Sequence, residues 1–111
     1  MKFTQGAIVL TPFPFSNQKS TKLRPGLVIS SDQFNAQSKD IWIAAVSSKE
    51  GNSQFKVPLN QEDLVKGNLY RSSFVKFTAI TATEKTIIQK VVGQVSKQKI
   101  LEVKREILKI L

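Results

Sequence analysis

Among its 111 residues the chain has no cysteine and no histidine. Lack of cysteine excludes a disulfide framework, and lack of both excludes the usual zinc sites, because aspartate and glutamate alone make a poor tetrahedral cage. Acidic residues are scarce as well, 8 Asp+Glu against 17 Lys+Arg. No apolar run approaches the roughly 18 residues needed to cross a bilayer. The opening residues, Met1-Lys2-Phe3-Thr4-Gln5-Gly6, lack the basic stretch and apolar core of a signal peptide. These absences set the expectation of a soluble cytoplasmic protein with no membrane partner, no metal and no cofactor. No repeat, linker or low-complexity segment is present, and the length predicts one domain over residues 1–111 with its own core.

What is present is positive charge. The formal net charge is +9 and the pI is about 10.1, a balance that favours polyanionic partners through phosphate neutralisation and steering. The cations are spread along the chain at Lys19, Lys22, Arg24, Lys56, Arg71, Lys76, Lys97, Lys99, Lys104, Arg105 and Lys109. None of these groups forms a basic tail, so nucleic acid is the first candidate partner and plain solubility charge the alternative.

Short runs rich in Val, Ile and Phe at 8–10, 27–29, 41–46, 55–59, 73–77 and 87–95, separated by turn residues, predict strands. The nearly continuous run at 41–46 fits a strand covered on both faces, with Trp42 in the core, whereas 74–77 and 88–95 mix in polar residues and predict one wet face. A short helix is expected over 60–66, with Asn60 as N-cap, Glu62 and Asp63 in its first turn and Gly67 at its end. Another helical turn is expected at 32–35. From Ser96, as N-cap, Ile100, Val103, Ile107 and Leu111 form one stripe with Leu101 and Leu108 beside it, predicting an amphipathic helix packed on the sheet. Lys97 and Lys99 in its first turn oppose the helix dipole, which implies either solvated charge or a binding role. Many short strands with one terminal helix predict a small, strongly bent sheet or open barrel, mainly β with short helices.

The most distinctive stretch is the N-terminal one. Gly6-Ala7-Ile8-Val9-Leu10-Thr11-Pro12-Phe13-Pro14-Phe15 leads through a polar, basic loop into Arg24-Pro25-Gly26-Leu27-Val28-Ile29-Ser30. Pro25 lacks an N–H and biases Arg24 toward extended geometry, so a permanently charged guanidinium stands at the start of a rigid strand, beside a loop able to order over a ligand. That suits a phosphate, whose oxygens match the guanidinium fork. A surface arginine closing a hairpin is the competing reading.

These two segments resemble the opening of the MazF/PemK toxin family, ribonuclease components of type II toxin–antitoxin systems. The likeness continues in Ile41-Trp42-Ile43-Ala44-Ala45-Val46-Ser47-Ser48, which matches the family's third-strand segment, and in Gly93-Gln94-Val95-Ser96 before the terminal helix. It covers most of the chain. It implies an SH3-like small barrel, a fold shared with the CcdB gyrase poison, and a homodimer restrained by an acidic, partly disordered antitoxin. The implied activity is metal-independent cleavage of single-stranded RNA by 2′-hydroxyl attack, leaving 2′,3′-cyclic phosphate and 5′-hydroxyl ends. Arg24 and Ser47 are the implied catalytic pair, with Ser48 as the adjacent competitor. The chain departs from many members, which carry an aspartate near the place of Phe77.

Several residues are candidates on their chemistry alone. Metal-free RNA cleavage needs stabilisation of the phosphorane charge and help with two proton transfers. Arginine supplies the first but is a poor proton acceptor. Lys19 and Lys22 in the basic loop and Arg71 are candidate phosphate contacts. Phe15, with Phe13, is a candidate stacking platform for bases, although aromatics in a small β-protein also serve as core. Glu62-Asp63 is not read as a catalytic or metal pair, since neighbours on a helix point about 100° apart. Two readings from other classes stay open at this level: a topoisomerase poison of the CcdB kind, and a non-catalytic SH3-like module that binds nucleic acid or peptide.

Overall fold

The computed structural model describes residues 2–12 and 22–111. Seven strands form one antiparallel sheet, with two α-helices and two short 3-10 turns. They are β1 (Ala7–Pro12), β2 (Leu23–Val28), β3 (Asp40–Ser47), β4 (Val57–Leu59), β5 (Leu64–Gly67), β6 (Ser73–Glu84) and β7 (Lys90–Val95), with α1 (Asp32–Gln37) and α2 (Lys97–Leu108). The strand order is β4-β6-β3-β2-β1-β7-β5.

That order dictates curvature. The two edge strands, β4 and β5, are consecutive in sequence and joined by residues 60–63 alone. Such a link spans at most roughly 17 Å at 3.3–3.6 Å per residue, whereas seven strands laid flat at about 4.8 Å spacing would part their edges by roughly 29 Å. The sheet therefore curls into a half-barrel, the predicted small barrel with a terminal helix. Bulges supply the bending. Between Ala44↔Ile80 and Ala45↔Lys76 the β3–β6 register shifts by three residues, so 77–79 on β6 face no partner.

Residues on the inner face of the curl, Ile8, Leu27, Ala44, Val46, Val57, Leu59, Val75, Phe77 and Val95, pack with Ile100 and Val103 of α2. A second cluster of Phe3, Ala7, Val9, Val28, Ile41, Ile43 and Ile88 covers the other face of β1–β3. Burial on both faces explains the continuous apolar run of β3. Phe77, 1% exposed, is among the largest fully buried side chains, so this position is a packing position.

Helix α2 starts as expected, with the Ser96 hydroxyl accepting from Lys99 N at 3.1 Å. Lys99 is bonded within the protein. Its ammonium donates to Pro58 O at 2.9 Å and to Glu102 Oε1 at 2.8 Å, and lies 3.6 Å from Asp63 Oδ2. One cation thus ties the helix to β4 and to the 60–63 link and offsets its unfavourable place in the first turn.

Four expectations need correction. The helix over 60–66 is only a 3-10 turn at Gln61–Asp63, where Asn60 and Asp63 form a capping box; pairing with β7 then draws residues 64–67 into β5. The run at 55–59 is strand only from Val57, and 87–95 only from Lys90, after a 3-10 turn at Lys85–Ile87. Trp42 is not core: it is 49% exposed and meets Phe34 of α1 edge-on, ring centroids 6.0 Å apart. On α2, Ile100 and Val103 are buried, but Leu101, Leu108 and Leu111 are exposed, and Leu111 lies past the helix end. The turn expected at 32–35 is α1, capped by Ser31 and one residue pair longer. Among the described residues no helix is long and apolar enough to cross a membrane.

Phe77→Ala is expected to cost about 3–5 kcal/mol, the range for removing a buried aromatic from a packed core. Urea denaturation would show it as a lowered midpoint with an unchanged slope.

Candidate functional site

The site grows out of the place where the β2–β3 ladder stops. Pairing runs from Val28↔Ile43 to Gly26↔Ala45 and ends there, next to Pro25, which has no N–H to contribute to a ladder. Continuing that register by two residues sets Arg24 opposite Ser47. On the other side of β2 the pairing is explicit, Thr11↔Arg24. Directly opposed residues present their side chains on one face, so Thr11, Arg24 and Ser47 form a row across three strands.

A cleft of about 700 Å³ opens at this point. Arg24, Pro25, Val46, Ser47, Ser48, Lys49, Tyr70, Arg71, Ser73 and Lys76 line it, with Ile8, Leu10, Leu69 and Val92 among its apolar walls. Four cations, Arg24, Lys49, Arg71 and Lys76, share the space, and none of its described lining residues is a carboxylate. The field inside is therefore positive and suited to a polyanion.

The hydroxyls are set by local turns. Ser47 Oγ accepts from Lys49 N at 3.1 Å, a turn at the strand end that occupies the oxygen as acceptor and leaves the O–H to donate. Ser73 Oγ donates to Arg71 O at 2.9 Å. Lys76, which pairs with Ala45 across the sheet, reaches back to Glu50 O at 2.8 Å and fastens the segment after β3 over the cleft. Thr11 is fully buried, and its Oγ1 is the one buried side-chain polar atom among the described residues without a hydrogen-bond partner. Such a group costs roughly 1–3 kcal/mol, and it lies directly beside Arg24.

The structure thus brings together four of the residues singled out in the sequence, Arg24, Ser47, Ser48 and Arg71. Lys22 is exposed just before β2 and does not line the cleft. Phe15 and Lys19, with Phe13, lie outside the described residues. Sequence reasoning did not select Lys49, Lys76 or Tyr70. Lys76 carried a weak signal as the polar residue between Val75 and Phe77; Lys49 and Tyr70 carried none, since their place depends on how the loops fold back.

A larger groove of about 1120 Å³ lies between β7 and α2, with Lys2, Lys66, Lys97 and Lys104 around Val91, Val92, Ile100 and Leu101. None of its described lining residues is an arginine, and their hydroxyls are committed: Thr4 donates to Gln94 Oε1 at 2.8 Å, and Ser96 caps α2. The Arg24 cleft is the better candidate for chemistry on a phosphate.

Three solved structures show the same fold. An endoribonuclease in complex with its cognate antitoxin, from a mycobacterial species, aligns with TM-score 0.76 and 12% identity over 96% of this chain and 92% of its own. The Mycobacterium tuberculosis toxin MazF-mt6 aligns with TM-score 0.72 and 16% identity over 93% of both chains. MazF from Deinococcus radiodurans aligns with TM-score 0.72 and 17% identity over 96% of this chain and 93% of its own. No curated protein matches the chain by sequence. A family model does match, that of the PemK-like, MazF-like toxins of type II toxin–antitoxin systems, and it spans residues 4–111. With that match over nearly the whole length, the chain belongs to the PemK-like, MazF-like toxin family.

Proposed function

We propose that the protein is a toxin endoribonuclease that cleaves single-stranded RNA without a metal ion, by attack of a 2′-hydroxyl on the adjacent phosphorus. The observation that carries this reading is the Arg24–Ser47 edge of a cationic cleft whose described lining residues include no carboxylate. The family match and the fold shared with MazF structures support it. Arg24 binds the nonbridging oxygens and stabilises the charge that develops on the phosphorane, where a preorganised donor contributes most. Ser47, its O–H left to donate, holds the scissile phosphate, and Ser48 is its neighbour at the rim. Arg71 contacts a flanking phosphate. Lys22, Lys19 and Phe15 are proposed as further contacts to the RNA. Because arginine does not accept a proton at neutral pH, the rate rests on positioning and charge stabilisation.

The protein is further proposed to act as a two-fold homodimer and to be restrained by an acidic antitoxin segment that folds on the basic surface. One solved relative is a complex with its cognate antitoxin, and isologous dimers are the commonest soluble oligomers.

Purified protein incubated with a long RNA in EDTA should cut it, leaving 2′,3′-cyclic phosphate and 5′-hydroxyl ends. Replacing the scissile nucleotide by its 2′-deoxy analogue should stop cleavage there, and continued cutting would rule the mechanism out. Arg24→Ala should lower the cleavage rate by roughly 10²–10³-fold with little change in thermal midpoint, because an exposed strand-edge charge adds little stability. Arg24→Lys should rescue poorly, since a point charge lacks the bidentate fork. Ser47→Ala should cost less than Arg24→Ala, and Ser48→Ala less again. Sedimentation should show a dimer at micromolar concentration; a fully active monomer would remove dimerisation from the mechanism.

A further inference from the structure

We infer that Tyr70 is a stacking platform for one nucleobase of the bound RNA, a base subsite beside the phosphate-binding cleft. The inference rests on the ribonuclease reading above for its ligand, and on the geometry of the 68–72 loop for its location.

Tyr70 is 98% exposed, the most exposed of the large hydrophobic side chains among the described residues, and it lines the same cleft as Arg24, Ser47 and Arg71. Exposure of this kind on a loose loop would carry no meaning. This loop is held on both sides of the tyrosine. Before it, the Gln61 side chain works as a clamp: Nε2 donates to Gly67 O at 3.2 Å and Oε1 accepts from Leu69 N at 2.7 Å. Gly67 has φ +85°, and a Cβ there would stand 2.1 Å from Val92 O, so β5 passes β7 too closely for any side chain. Leu69 packs against the main core. After it, Arg71 O is held by the buried Ser73.

A backbone fixed on both flanks therefore presents an almost fully exposed aromatic ring. Among the described residues the ring makes no hydrogen bond or ring contact, and the cleft it lines carries cations and hydroxyls as well as apolar walls. Bases of a single strand have an apolar π-face, are already unstacked, and arrive on a backbone that Arg24 and Arg71 attract. Stacking on an aromatic contributes about 1–3 kcal/mol per base and accepts any base. The ring also loses little freedom on binding, since tyrosine has only two side-chain torsions to fix. Tyr70 is thus assigned the grip on a base near the scissile phosphate, while Arg24 and Ser47 act on the phosphate itself.

The test uses a short single-stranded RNA made uncleavable by 2′-deoxy substitution at the scissile nucleotide, with binding followed by fluorescence anisotropy. Tyr70→Ala should weaken binding by roughly 5- to 150-fold, the equivalent of 1–3 kcal/mol, while Tyr70→Phe and Tyr70→Trp stay within about twofold of the parent. Single abasic sites are then moved along the RNA. At one position the abasic loss and the Tyr70→Ala loss should not add, which identifies the stacked base. Wild-type affinity in Tyr70→Ala, full additivity at every position, or a Tyr70→Phe loss as large as that of alanine would each overturn the assignment. So would loss of affinity for an acidic antitoxin peptide with RNA binding intact, which would make Tyr70 a protein contact. Cleavage assays on Arg24→Ala run in parallel separate the two claims: an active Arg24→Ala protein defeats the catalytic reading, whereas the anisotropy measurements judge Tyr70 without requiring cleavage.

Discussion

Four residues between two edge strands govern this molecule. Because 60–63 join β4 to β5 at opposite ends of the strand order, the sheet has to roll until its edges approach, and other features of the fold answer to that requirement. The register shift in β6 supplies bend, Gly67 allows β5 to pass against Val92, and Lys99 fastens α2 to Pro58 of β4 and to Asp63 of the link. Rolling also creates the enclosed face on which the largest apolar side chains meet, with Ile100 and Val103 of α2 closing one end. The seven strands leave only short β4 and β5 as edges, of three and four residues, which limits edge-to-edge association.

The cleft is a second product of the same curl. Between β2 and β3 the ladder stops at Gly26↔Ala45, two residues before the Arg24–Ser47 row. Pro25 stands where that ladder ends, and the strands part at the point where the charged and hydroxyl side chains stand. The unpaired 77–79 segment of β6 divides its residues between the two environments: Phe77 goes into the core and Ala79 lines the cleft. Departures from local regularity gather here, including the unsatisfied hydroxyl of Thr11, and functional sites are where such departures are expected. The surrounding core supplies the stability that lets them persist.

Charge is arranged by the same division. Lys99 works inside the scaffold, joined to two carboxylates and a carbonyl, whereas Arg24, Lys49, Arg71 and Lys76 converge on a space with no described carboxylate. The net charge of +9 therefore has a local expression, a positive cleft with apolar walls, complementary to a ligand that carries both anionic and apolar groups.

The strands of β1, β2 and β3 and the cap at Ser96 were readable in the chain, because each depends on a local pattern, an apolar run or a cap, whereas the association of Arg24 with Ser47 was only what the family resemblance implied. The 60–66 helix was misread because its acidic first turn and terminal glycine satisfy helix rules locally, while pairing with β7, distant in sequence, decides the matter in favour of β5. Trp42 fits a buried run by composition, yet it comes to the surface because α1 offers Phe34 to only one side of its ring. The roles of Lys99, Lys76 and Tyr70 were beyond the sequence for one reason: each depends on which loop or edge the curl brings beside it. Local residue chemistry determined the elements and supplied the arginine and the hydroxyls; tertiary structure decided which of them share a cleft, because only closure of the sheet brings residues of 24, 47 and 70 to the same place.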